Sequence, residues 1–239
     1  MDNKAETQNF LACESNCIFA LLMMTAGMMG AYTFNMRGGV FCNAQTANFV
    51  IMSIEIGKGE IMKGLYYLIP ITAYFLGAFI SEILPTPVKR LGFLRWDTYL
   101  IGFEAIALLI IGFVPLTVPH QYVQVAINFI ASMQYNTFRQ AQGIPMATTF
   151  CTNHLRQVGI AFAKVVRKHD AEAKHRGLTH ICMITFFFVG GVVLTFSCKF
   201  LQEKAIWLAL IPLGIILVKL LYADLFKEQG MMSQKPRGH

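Results

Sequence analysis

The sequence predicts an all-α, polytopic membrane protein with six spanning helices and two polar re-entrant or broken helices, arranged as two inverted repeats. Three observations carry this expectation. Hydrophobic residues make up 55% of the 239-residue chain and charged residues only 14%, against about 25% charged in a soluble domain. The apolar residues gather in runs, several as long as the ~18 residues that mark a membrane span. The Lys and Arg residues fall between those runs, the distribution that sets orientation in a bilayer. High hydrophobicity excludes a disordered chain. The net charge is +7, but no single polar face gathers it, so the expected partner is the lipid bilayer and not nucleic acid.

Eight segments follow in order. Segment 17–34 is apolar and has no small-residue cleavage site after it, so it reads as an uncleaved first helix. Segment 40–57 is unusually polar, with Asn43, Gln45, Thr46, Asn48, Ser53 and Glu55. Segments 65–84 and 98–117 are long and apolar, as is 122–138. Segment 144–165 is polar again, with Thr148, Thr149, Thr152, Asn153, His154, Arg156 and Gln157. Segments 178–198 and 205–222 complete the set. The order long, polar, long, long occurs twice, giving one transmembrane domain over 1–239 with repeats at about 17–117 and 122–222. A shift of 106 positions lays Asn43 on Thr149, Thr46 on Thr152 and Asn48 on His154.

The basic residues choose between two topologies. If both polar segments cross, Lys and Arg divide 13 to 7 between the two sides; if both dip in and return, they divide 15 to 5. The positive-inside rule selects the second, with both termini cytoplasmic. An odd number of spans per half inverts one repeat against the other, a recurrent transporter plan. Backbone that enters a bilayer without crossing must be covered by protein or line a water cavity. The two polar segments are therefore expected at the centre of the molecule.

Their side chains are the candidate solute-binding groups: Asn43, Thr46, Asn48, Thr149, Thr152, His154 and Arg156. As helix residues, Thr149, Thr152 and Arg156 would share one face, as would Asn43 and Thr46. Hydroxyl and amide groups both donate and accept, and helix N-termini at Val40 and Ile144 would turn partial positive charge inward, with Pro145 in a first turn. Such a site suits a small anion or a neutral polar solute. Alternatively the same residues join helices. Glu104, inside an apolar run, costs ~2.5–3.5 kcal/mol at the centre of a span. It is expected to be shielded from lipid, and either paired with a cation (Arg139 and Arg156 are the ones available) or protonated. His154 is a titratable group or a hydrogen-bonding one. The basic run 164–176, with His169 and His175, reads as a solvated cytoplasmic loop near anionic lipid.

The stretch Arg37-Gly38-Gly39-Val40-Phe41-Cys42-Asn43-Ala44-Gln45-Thr46-Ala47-Asn48, together with Thr148-Thr149-Phe150-Cys151-Thr152-Asn153-His154-Leu155-Arg156, resembles the YoaK-like family of bacterial membrane proteins (domain of unknown function 1275). The resemblance covers about 16–222. It implies a six-helix protein of the bacterial cytoplasmic (inner) membrane, with no agreed activity. The family's Thr-Gly-Asn reads Thr46-Ala47-Asn48 in the first copy and Thr152-Asn153-His154 in the second, so both glycines are replaced.

The six cysteines are scattered and match no metal or disulfide spacing. No nucleophile elbow, phosphate loop or H-E-x-x-H motif is present. No enzyme activity, catalytic residue, metal site or cofactor is therefore expected. Homo-oligomers are common among channels of this size, but no zipper or G-x-x-x-G motif specifies one here. The function expected is a channel or carrier for a small solute; the alternative is a non-transporting membrane scaffold that binds lipid or a partner.

Overall fold

The computed structural model describes residues 10–89, 92–231, 234 and 236. Lys4, Arg90, Lys235 and Arg237, which enter the charge asymmetry, lie outside the described residues. The chain is 79% helical, and among the described residues the only sheet is a hairpin of two two-residue strands. The helices are α1 (Asn16–Met36), α2 (Gln45–Gly57), α3 (Ile61–Tyr66), α4 (Leu68–Ile83), α5 (Pro85–Lys89), α6 (Trp96–Ile111) and α7 (His120–Thr137). Strands β1 (Gln140–Ala141) and β2 (Ile144–Pro145) follow, then α8 (Thr152–Lys168), α9 (Ala171–Leu201) and α10 (Leu210–Tyr222). Among the described residues, three stretches are long and apolar enough to cross a membrane: Asn16–Met36, Ile61–Val88 and Ala171–Lys227. The last of these holds both α9 and α10, separated by a sharp break at Gln202, whose φ is +48°.

Local chemistry fixes the helix starts. Ser15 accepts from the Ile18 N–H ahead of α1, and Asp170 accepts from the Ala173 N–H ahead of α9 at 3.0 Å. Both are N-cap residues satisfying a donor that the helix leaves open. His169 takes the left-handed conformation that ends α8. The 164–176 run is therefore not a loop: it forms the last turns of α8 and the first of α9, with the turn confined to His169 and Asp170.

Both polar segments begin their helices later than the sequence suggests. The first starts at Gln45, not Val40, and the second at Thr152, not Ile144. Pro145 sits in β2, not in a first helical turn. Gln142 and Gly143 both have positive φ and turn the hairpin, which takes residues 140–145 out of any helix.

Helix directions follow from side-chain contacts. Asn35 on α1 donates to Thr195 on α9, and Gly27 meets Phe187, so α1 and α9 run parallel. Gly77 on α4 meets Phe129 on α7, and Asn136 bonds Ser81, so α4 and α7 also run parallel. Gln134 reaches Leu22 O, while Gln124 reaches Arg37 O, so α1 and α7 are antiparallel. Trp207 bonds Leu109 O beside the end of α6, and Thr98 at its start bonds Asp224 beyond α10; α6 and α10 are antiparallel too. The core lies where α1, α6, α7, α9 and α10 meet, around Leu22, Met29, Leu100, Leu108, Ile127 and Ile216.

Each end of the bundle carries one buried arginine. At one end Arg37 is fully buried and donates to Tyr32 Oη and to the carbonyls of Val114 and Pro115, the last at 3.1 Å. At the other, Arg95 pairs with Asp97 at 3.3 Å and donates to Met231 O, while its backbone N–H donates to Asp224. Glu228 closes this second end by accepting from the Ala12 N–H at 2.7 Å. Burial pushes the Glu228 carboxyl above its ordinary range. A raised folded-state value favours the protonated form, so its contribution is present at acidic pH and is lost as pH rises through the raised value. Glu228→Gln, neutral at every pH, is expected to match the native protein in thermal stability at pH 4 and to exceed it at pH 8. A difference that does not change with pH would contradict this.

Candidate functional site

One device holds both polar segments. Asn48 is buried on α2; its Nδ2 donates to Phe41 O at 2.8 Å and its Oδ1 accepts from Phe41 N at 3.3 Å. His154 is buried on α8, and its Nε2 bonds Ala147 O at 2.6 Å. Both clamps reach back seven residues. The shift that lays Asn48 on His154 also lays Phe41 on Ala147. Each side chain ties the irregular segment entering the helix to the helix's first turn. The carbonyl needs a donor there, and an amide or an imidazole N–H supplies one.

The pre-helical segments lie deep in the bundle. Asn43 Nδ2 donates to Ala26 O, at mid-length of α1. Its amide fits because Gly30 has no side chain: a Cβ there would lie 3.0 Å from it. Gln45 links α2 to Asn128 of α7 at 2.8 Å. In the second half, Gln134 on α7 donates to Thr148 O at 3.2 Å. Thr149 is fully buried, and the Tyr74 hydroxyl of α4 is its hydrogen-bonding neighbour. No hydrogen bond joins α2 to α8 among the described residues.

Other expected site residues lie elsewhere. Thr46, Thr152 and Arg156 are exposed, and Arg156 donates to Asn153 Oδ1 at 2.9 Å. The common face expected for Thr149, Thr152 and Arg156 does not form, because α8 begins only at Thr152. The same holds for Asn43 and Thr46 with α2 beginning at Gln45. Glu104 is fully buried, as expected, but neither oxygen has a partner among the described residues. The ion pair is corrected: Arg139 pairs with Glu82 at 2.7 Å and Arg156 with Asn153. A protonated carboxyl is what remains of the two alternatives.

Eight further polar atoms are buried without a partner among the described residues, among them Gln134 Oε1 on α7 and Thr148 Oγ1 in the segment entering α8. These two residues meet, since Gln134 Nε2 donates to Thr148 O. Buried polar groups are bonded in the great majority of cases, so two unmatched groups side by side mark a place where a small polar species fits. Sequence reasoning missed Gln134, Tyr74 and His180. His180 carried a usable signal, being an ionisable residue within an apolar run, as Glu104 is.

A helical, membrane-type bundle with two clamped polar segments is the class these features define. Residues 18–219 match the family described as "Protein of unknown function (DUF1275)", and the chain belongs to that family. No curated protein and no solved structure matches it.

Proposed function

We propose that the protein is a channel or carrier for a small anionic or neutral polar solute, built from two inverted repeats with six crossings. Helix directions support the inversion. The first long helices of the halves, α1 and α7, are antiparallel, and so are the last, α6 and α10. The parallel pair α1 and α9 becomes the parallel pair α7 and α4 when the halves are exchanged. Each polar segment starts and ends at one end of the bundle, the first at the Arg37 end and the second at the Arg95 end. The Arg95 end carries most of the basic residues and is read as cytoplasmic, with both termini there.

The observation that carries the transport reading is the pair of adjacent buried polar atoms without a partner, Gln134 Oε1 and Thr148 Oγ1, next to Thr149 at the turning point of the second segment. Hydroxyl donors and an amide oxygen in a site sheltered from lipid can replace part of a solute's hydration shell. Glu104, held as the neutral acid for lack of a cation, leaves the interior without a fixed negative charge that would repel an anion.

Flux through liposomes holding the purified protein tests this against a panel of small anions and neutral polar metabolites. At least one solute is expected to cross faster than in empty liposomes. Thr149→Val keeps the size and removes a hydrogen-bonding group worth about 1–3 kcal/mol when left unmatched, so flux of that solute is expected to fall roughly tenfold. No flux across the panel would instead support a non-transporting membrane scaffold.

A further inference from the structure

A cavity of about 310 Å³ lies between α8 and α9 near the turn that joins them, lined by Gln157, Lys164, Asp170, Glu172, Arg176 and His180. His180 is buried on α9, and its Nδ1 lies 2.9 Å from Nδ1 of His154. Its Nε2 has no partner among the described residues, yet is not sealed from the cavity that the ring lines. The hydrogen bonds fix the tautomers. Ala147 O can only accept, so His154 Nε2 carries a hydrogen. In the neutral ring His154 Nδ1 then accepts, and His180 Nδ1 must donate to it. This leaves a lone pair on His180 Nε2 toward the cavity.

We propose that His154 and His180 form a one-proton acceptor, loaded from this cavity, that links the second polar segment to protons on that side of the membrane. A proton from cavity water adds to His180 Nε2 and makes that ring an imidazolium. Its Nδ1 proton can then pass to His154 Nδ1, leaving His180 neutral with the hydrogen on Nε2 and placing the charge on His154. Every hydrogen bond survives, and the bond to Ala147 O becomes charge-assisted. Ala147 directly precedes Thr148 and Thr149, so the charge sits at the base of the segment holding the unpartnered Thr148 hydroxyl. A second proton would set two Nδ1–H groups against each other across 2.9 Å, so the pair holds one.

The charged groups around the site carry both signs. From α8 the pair is faced by Lys164, and from α9 by Arg176 and Glu172, which bond each other at 2.6 Å. Asp170, at the start of α9, also lines the cavity, whereas the β2 side contributes only Ile144 and Pro145. The described part of α1, packed on α9, holds no Asp, Glu, Lys, Arg or His. The lining charges balance, so a proton fits the cavity better than a multiply charged anion does.

The link to solute movement rests on the transport reading; proton binding by the pair does not. The test is therefore a titration of the protein in nanodiscs, with ¹⁵N-labelled histidine followed by NMR from pH 8.5 to 3. Both rings are expected to shift at one shared midpoint, with one proton taken up by the pair. Two protons, none, or separate midpoints would overturn the proposal. In His180→Leu, His154 loses its route to the cavity and is expected to stay neutral over the same range; an unchanged His154 titration would overturn the route. If that variant fails to fold, the proton count of the native pair decides. Absence of flux in liposomes would leave this result untouched, so the two readings fail separately.

Discussion

Arg37→Ala is expected to lower stability by on the order of 3 kcal/mol or more, among the largest effects of any single polar substitution. The guanidinium is fully buried and has no carboxylate partner among its hydrogen bonds. It is held by the Tyr32 hydroxyl, at 2.9 Å from Nη2, and by two carbonyls just past the end of α6, Val114 O at 2.6 Å and Pro115 O at 3.1 Å. The end of a helix presents partial negative charge, which favours a cation there. Removing the side chain leaves the buried Tyr32 hydroxyl and two part-buried carbonyls without their donor, a loss of about 1–3 kcal/mol for each acceptor that water does not reach. It also unties the end of α1 from the end of α6. Lys at this position keeps the charge but not the planar fork that reaches three groups, so Arg37→Lys is expected to recover only part of the loss. Thermal unfolding in detergent measures both variants. Equal melting temperatures for all three proteins would contradict the account of this end of the bundle.

Gly190→Val is expected to cost as much or more, through packing. A Cβ at Gly190 would lie 2.2 Å from Met24 O, and one at Gly27 would lie 2.0 Å from Phe187 O. The obstruction is backbone in both cases, so no side chain can rotate out of the way, and α1 and α9 must separate. Overpacking of a tight interior costs about 1–3 kcal/mol and occasionally more. The upper end is expected here, because this contact also positions Asn43 against α1 and the cavity wall on α9. Gly214→Ala is the matched control, since nothing lies within 4 Å of a Cβ there. Purified yield and melting temperature should fall sharply for Gly190→Val and stay near native for Gly214→Ala. Similar losses in both would show that close approach does not govern these positions.

Much of this fold was legible in the sequence, because apolar runs and their basic flanks report membrane partition directly. All six long segments correspond to helical rods, and Glu104 is buried as its cost in hydrocarbon requires. The 106-residue shift, which rests on a few side chains, also relates Phe41 to Ala147, the two clamped carbonyls. What the sequence hid were the helix starts. Val40 and Ile144 have the right composition for a first turn, but clamps reaching back from Asn48 and His154 hold the preceding residues irregular. That is tertiary bonding, which periodicity does not encode. The error then spread to Thr46, Thr152 and Arg156, whose predicted faces assumed helices that began earlier. The central polar groups were hidden for a different reason. Gln134 looks ordinary on an amphipathic helix, and the packing of Thr148 and Leu22 around it buries it.

The central claim is that the two polar segments enter from opposite faces of the membrane, and one-sided cysteine labelling tests it most directly. In a protein with the exposed Cys17 and Cys182 replaced by Ser, single cysteines are placed at Lys58, after α2, and at Lys164, near the end of α8. An impermeant maleimide is applied to intact cells and to inverted vesicles. The account predicts labelling of Lys58→Cys only in intact cells and of Lys164→Cys only in inverted vesicles. Labelling of both positions from the same side would contradict the inverted arrangement, and with it a site built where the two segments meet.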